Sequence, residues 1–135
     1  MLKPDAFFAL TEHGMGPNAN PLYPAPWSLD GSGSFLVTPS ETRKLLEAAG
    51  FRDIVVEDIG AKYLAAYKQV MALAASGAMP ALGVHLLAGE RAAEKTRNAA
   101  RNIEEGRTQP VQLICRKAVS RGGRNRTTSS APSVW

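Results

Sequence analysis

The chain has 135 residues, 44% hydrophobic and 21% charged, which fits one globular domain at most and excludes a collagen-like repeat or a wholly disordered chain. No apolar run approaches the roughly 18–20 residues that a membrane span needs, so no membrane contact is expected. The net charge of +4 invites a nucleic-acid reading, but Arg116, Lys117, Arg121, Arg124 and Arg126, with no acid among them, leave residues 1–115 with 11 basic and 12 acidic residues. The basicity therefore belongs to the tail.

Met1-Leu2-Lys3-Pro4-Asp5 leads into no long apolar h-region, which argues against a secretory signal and for a cytoplasmic protein. Ala6-Phe7-Phe8-Ala9-Leu10-Thr11 is short and almost uniformly apolar, the pattern of a strand buried on both faces as in a parallel sheet. His13 to Gly33, rich in Gly, Pro and Asn, has neither helical nor strand period and reads as a long loop of the kind that often carries function. Thr38-Pro39-Ser40-Glu41 then spells a helix start: Thr38 as N-cap, Pro39 at the first helical position, Glu41 completing a capping box. Leu45, Leu46 and Ala49 supply an apolar stripe, and Gly50 is placed to end the helix.

Ile54-Val55-Val56, stopped by Gly60, is β-branched and reads as a second strand. Strand, helix, strand with a short crossover predicts a parallel βαβ unit. Two helices follow. The first runs from about Ala61 to Ser76 with Tyr63, Tyr67, Val70, Met71 and Ala74 on one face; the second runs from about Glu90 to Glu105 with Ala92, Thr96, Ala99, Ala100 and Ile103 on one face. Met79 to Ala88 is an apolar connector. Pro110 to Cys115 reads as the last strand, on which Cys115 is a small hydrophobe; a lone cysteine excludes an internal disulfide and suits a reducing compartment. The polar run from Ser120 onward reads as disordered. No internal repeat is found.

The motifs divide into weak and suggestive. Gly14-Met15-Gly16 and Gly31-Ser32-Gly33 precede no helix N-terminus, so they read as turns and not as a phosphate loop. Glu12 and His13 fall just past the carboxyl end of the first strand, where open α/β sheets place ligands; a neighbouring carboxylate would raise the imidazole pKa and make it a competent proton acceptor. The plain alternative is a loop histidine that caps local backbone. Tyr23 and Trp27, on a loop stiffened by Pro21, Pro24 and Pro26, suit either a small-molecule pocket or a staple that holds the loop down. His85 in the apolar connector reads as a core histidine or a pocket wall. Asn98 and Asn102 share a polar stripe with Arg91 and Lys95; such a stripe is usually a solvated face, yet two asparagines mid-helix lack an obvious local reason. With two histidines and one thiol, no metal site is expected. The tail's basic residues, without interleaved aromatics, give weak phosphate attraction at most, so nucleic acid is disfavoured as a partner.

The order Leu2-Lys3-Pro4, apolar strand, Glu12, long loop, Thr38-Pro39-Ser40-Glu41-Thr42, then Leu45-Leu46-Glu47-Ala48-Ala49-Gly50-Phe51 resembles the C-terminal half of class I S-adenosylmethionine-dependent methyltransferases of the small-molecule, ubiquinone-biosynthesis-like type. Asp5-Ala6 stands where the family has Gly-Gly. The segment Thr96 to Arg107 also resembles a subgroup motif of such proteins. The resemblance covers about residues 2–117. It implies an α/β fold: strands five, six and seven of a Rossmann-like sheet, the seventh inserted antiparallel between the other two. Residues 1–117 would then be a partial methyltransferase domain, comprising a strand-helix-strand unit at 1–60, a helical lid at 61–106 and the last strand at 107–117. Residues 118–135 would be a disordered basic tail.

The resemblance further implies methyl transfer from S-adenosylmethionine to a small-molecule acceptor. Glu12 and His13 would serve as acceptor contact or base, and Tyr23, Trp27, His85, Asn98 and Asn102 as pocket walls. The family's glycine loop and ribose-binding carboxylate find no match here, so no cofactor-binding residue is assigned, and a truncated chain, inactive by itself, is expected. The rival expectation is a non-catalytic interaction protein or half of a split enzyme. It would pair with an N-terminal half, or with a second copy, through the exposed apolar edge of the first strand.

Overall fold

The computed structural model describes residues 2–80, 83, 86 and 89–119. His85 and the tail from residue 120 lie outside the described residues. The order of elements is β1 (Phe7–Met15), α1 (Pro39–Ala48), β2 (Phe51–Asp58), α2 (Gly60–Ala75), α3 (Ala92–Glu104) and β3 (Thr108–Lys117).

The strands form one sheet in the order β1-β3-β2, with β3 antiparallel to both neighbours. β1 and β2 run the same way, as their crossover helix requires, but they share no ladder, which corrects the parallel pair that the strand-helix-strand pattern predicts. β3 takes the centre, and its inward positions are accordingly the most enclosed: Val111 and Cys115 are 1% exposed and Leu113 is fully enclosed. Val111 and Leu113 each contribute about 1.5–3 kcal/mol by leaving water.

α1 covers one face of the sheet. The core lies between them, built from Ile54, Val111, Leu113 and Cys115, with Phe8, Leu10, Leu46, Phe51 and Val56 packed around. The capping box forms as the spacing predicts: Thr38 accepts from the Glu41 N–H at 3.3 Å, and the Glu41 carboxylate accepts from the Thr38 N–H at 2.7 Å. Gly50 stops the helix at φ 85°, a conformation that disfavours any residue with a Cβ. The expected stripe on α1 is narrower than predicted, because Leu45 stays 62% exposed and buried Thr42 takes a place beside Leu46.

The opposite face is only half covered. α2 and α3 pack against each other and against β3. Their contact with the sheet includes Pro110, whose carbonyl accepts from the Ile59 N–H at 3.0 Å. Further along that face Phe7 is 64%, Val55 62% and Ile114 39% exposed. The strand expected to be buried on both faces is therefore buried on one, since among the described residues no helix overlies Phe7. Arg116 covers part of that ring, its guanidinium carbon 4.1 Å from the centroid.

Candidate functional site

β1 is longer than its apolar run. It continues to Met15, because the backbone keeps pairing after the side chains cease to be apolar: Glu12 faces Val111, His13 faces Pro110 and Gly14 faces Gln109. Glu12 and His13 thus lie inside the strand, and successive strand residues point to opposite faces. Glu12 turns toward α1, where its Oε1 accepts from the buried Thr42 hydroxyl at 2.5 Å. His13 turns toward the face that carries the long loop and α2. The pairing of carboxylate and imidazole expected from their adjacency is absent for this reason.

His13 is packed between aromatic rings. Trp27 stacks on it with centroids 4.6 Å apart and planes 29° apart, and Tyr63, one turn into α2, meets it edge-on at 5.3 Å. Tyr67, one further turn along, is edge-on to Tyr63 at 6.3 Å. Neither His13 Nδ1 nor Trp27 Nε1, both buried, has a hydrogen-bond partner. Burial holds the imidazole pKa below its ordinary value, where adjacency to Glu12 had suggested a rise. At neutral pH the ring is uncharged, with one nitrogen free to take a proton. Burial, together with the neighbouring Tyr63, pushes the Tyr67 phenol up, so it stays protonated.

The loop that delivers Trp27 is laid along α3 and the turn after it. Gly16 N–H and Asn18 N–H donate to the carbonyls of Arg107 and Gly106, each at 2.9 Å. The Asn18 side chain donates to the Glu105 carbonyl, and Arg107 Nη1 to the Asn20 carbonyl, each at 2.7 Å. Asn102 is wholly buried; its Oδ1 accepts from the Leu22 N–H at 2.6 Å, and its Nδ2 donates to the Leu22 carbonyl at 3.1 Å. Asn98 Nδ2 donates to the Pro24 carbonyl at 3.0 Å. Beyond Pro24 the chain makes a tight turn closed by two hydrogen bonds between Ala25 and Ser28, with Pro26 and Trp27 at its tip. Tyr23 is turned the other way, its hydroxyl donating to Ser34 Oγ at 3.0 Å.

Of the residues singled out from sequence, the structure brings together His13 and Trp27, and sets Asn98 and Asn102 behind the loop that carries Trp27. Glu12 and Tyr23 lie apart from the imidazole, and His85 lies outside the described residues. Tyr63 was missed as a site residue; its signal was an aromatic one turn after the carboxyl end of a strand. Tyr63, Tyr67 and Met71, four residues apart in turn, form a row along α2. That row leads toward an apolar cleft of about 450 Å³ between α2 and α3, lined in part by Val70, Met71, Ala74, Ala92 and Thr96. A smaller, more polar cleft of about 230 Å³ lies at Asp58, Gly60, Thr108 and Gln109.

Two glycine positions bear on whether these residues could cradle a cofactor. A Cβ on Gly16 would sit 2.3 Å from the Gly106 carbonyl oxygen, so the Gly14-Met15-Gly16 stretch is packed shut and is no cradle; Gly14 and Met15 lie in β1, and Gly16 opens a turn closed by the Ala19 N–H at 3.2 Å. The N–H of Gly60, at the start of α2, is already taken by Asp58 Oδ1 at 2.7 Å. Among the described residues no group of His, Cys, Asp and Glu is arranged to hold a metal ion, and no helix is long and apolar enough to cross a membrane.

The α/β architecture is similar to part of several solved structures. The solved structures it resembles include phosphoethanolamine N-methyltransferase 2 of Haemonchus contortus in two complexes. One holds phosphomonomethylethanolamine and S-adenosylhomocysteine (TM-score 0.56, 15% identity, 87% of this chain, 28% of that chain). The other holds S-adenosyl-L-methionine (TM-score 0.58, 15% identity, 87% of this chain, 27% of that chain). This chain thus spans about a quarter of their length, and at that identity the likeness is one of fold. No protein-family model and no curated protein matches the sequence.

Proposed function

We propose that this chain is the acceptor-side part of an S-adenosylmethionine-dependent methyltransferase that acts on a small molecule. The observation that carries the reading is the uncharged imidazole of His13, walled by Trp27 and Tyr63 near the carboxyl end of β1 in a methyltransferase-like fold. Hydroxyl, thiol, carbon-acid and primary or secondary amine acceptors lose a proton from the reacting atom on methylation. A neutral imidazole held between flat walls accepts that proton while the walls fix the acceptor's orientation, and both effects lower the barrier. The described residues do not fit the cofactor itself: Gly16 is packed against Gly106, and the Gly60 N–H is taken by Asp58. We assign the cofactor's contacts to residues outside them. Glu12, on the far face, holds α1 to β1 through Thr42.

The reading is tested by NMR titration of the full chain with small amines, alcohols and carbon acids. One class is expected to shift His13, Trp27 and Tyr63 together; acceptors that leave all three rings unmoved overturn the acceptor site. Calorimetry with S-adenosylmethionine tests the second half of the proposal. Micromolar binding by this chain, with amide shifts at Gly16 or Gly60, would place the cofactor site among the described residues and overturn our assignment.

A second reading is favoured by the open side of the sheet. β1 has one strand partner among the described residues, and Phe7, Val55 and Ile114 lie exposed on the adjoining face. The chain would then act by pairing there with the complementing part of a methyltransferase domain, with or without catalysis of its own. Sedimentation of the chain as a monomer in the presence of that part would sink this reading.

A further inference from the structure

The two asparagines of α3 face a loop segment and not solvent, and the bonds they make are specific. Asn102 offers a donor and an acceptor on one rigid amide, and both are spent on the N–H and carbonyl of a single residue, Leu22. The side chain imitates a β-bridge, so it fixes the direction of the loop backbone as well as its distance. Asn98, one turn earlier on the same face, holds the Pro24 carbonyl. Aspartate, leucine or alanine at position 102 cannot make both bonds, which supplies the reason, missing from local propensity, for polar residues mid-helix. Three residues past Pro24 stands Trp27, at the tip of the turn closed by Ala25 and Ser28, and its indole covers His13. Nothing on Trp27 itself anchors it by hydrogen bonding, since Nε1 is unpartnered. Its position over the imidazole is inherited from the backbone behind it.

We infer that Asn102 and Asn98 are positioning residues: they clamp the 22–24 backbone to α3 and thereby hold Trp27 over His13, keeping water off the imidazole. The inference gives the acceptor site of the preceding section its second layer and rests on that reading for its catalytic meaning, but its physical content is independent of cofactor and acceptor. The clamp sets the protonation of His13. When it is released, the turn carrying Trp27 lifts, water reaches the ring, and the cause of the depressed pKa is removed.

The experiment follows the His13 ring protons by NMR against pH in the full chain, beside the emission of Trp27 in a Trp135→Phe background. Asn102→Ala is expected to raise the His13 pKa toward its ordinary value of about 6.5 and to shift Trp27 emission to the red. Asn98→Ala, which removes one bond only, is expected to do the same to a smaller extent and serves if Asn102→Ala fails to fold. Ile54→Val loosens the core on the other face of the sheet and controls for general destabilisation; it is expected to leave both readouts in place. Unchanged His13 and Trp27 signals in a folded Asn102→Ala or Asn98→Ala chain overturn the inference, as do equal changes in Ile54→Val. Because neither readout contains a methyl donor or acceptor, the clamp can stand where the acceptor site fails, and the reverse.

Discussion

His13 and Trp27 lie stacked with their ring centroids 4.6 Å apart, and each keeps a buried nitrogen without a hydrogen-bond partner. Buried polar atoms are ordinarily paired, and leaving one unpaired costs about 1–3 kcal/mol. Two in contact mark a place where the fold tolerates an expense that stability alone would remove.

The first prediction is a pH dependence. The folded-state pKa of His13 lies below its unfolded value, so protons bind the unfolded chain more readily. The contribution of His13 is therefore fully favourable above about pH 6.5 and is lost as the pH falls from there through the folded pKa, with a slope of at most about 1.4 kcal/mol per pH unit. Urea midpoints measured from neutral to mildly acidic pH should show this loss in the wild type. The difference between wild type and His13→Phe should isolate it from all other titrations.

Trp27→Ala should cost about 2 kcal/mol, less than the roughly 3–5 kcal/mol of a fully buried tryptophan, because the ring is only half-buried. The same change should bring His13 to an ordinary pKa. Thermal unfolding and ring-proton titration check the two effects separately.

Thr42→Val should destabilise by about 1–2 kcal/mol, because the Glu12 carboxylate loses its hydroxyl donor beside a packed helix. It should leave the His13 titration unmoved, since the two side chains occupy opposite faces of β1. A displaced His13 pKa in this variant would contradict the separation of the two residues.

Gly16→Ala should be among the most damaging single changes. The added methyl would meet the carbonyl of Gly106, and backbone cannot rotate aside as a side chain does. A loss of about 2–3 kcal/mol is expected, with detachment of the loop from the turn after α3 visible as faster amide exchange at Asn18.

Where the determinants are local, the sequence is readable. Thr38, Pro39 and Glu41 announce the start of α1 within four positions, and the box they spell is the one that forms. β1 and β2 were read short for one shared reason. Arg52, Glu57 and Asp58 in β2, like Glu12 to Gly14 in β1, break the apolar pattern while their backbones go on pairing with β3, and Asp53 falls in a bulge between Arg52 and Val55 at φ 54°. The central place of β3 emerged from family likeness and not from any local signal. The site was half legible. Asn98 and Asn102 stood out as residues without a local reason, but their reason is Leu22 and Pro24, more than seventy positions away. That Trp27 meets His13 and Tyr23 does not is decided by the turn between Ala25 and Ser28, which no spacing rule foretells.

The central position of β3 has a consequence for how the chain comes into being. Of the strands among the described residues, the one made last is the one on which the other two depend: Phe7 pairs with Arg116, and Phe51 with Lys117, but no ladder joins β1 to β2. Until β3 leaves the ribosome, both earlier strands emerge with two open edges and must be kept from other partners. Such late closure over long sequence separations is slow and leaves apolar segments exposed meanwhile. A chain arrested before Thr108 should therefore bind a holdase chaperone strongly, and release should coincide with the emergence of Lys117 from the ribosome rather than accrue element by element.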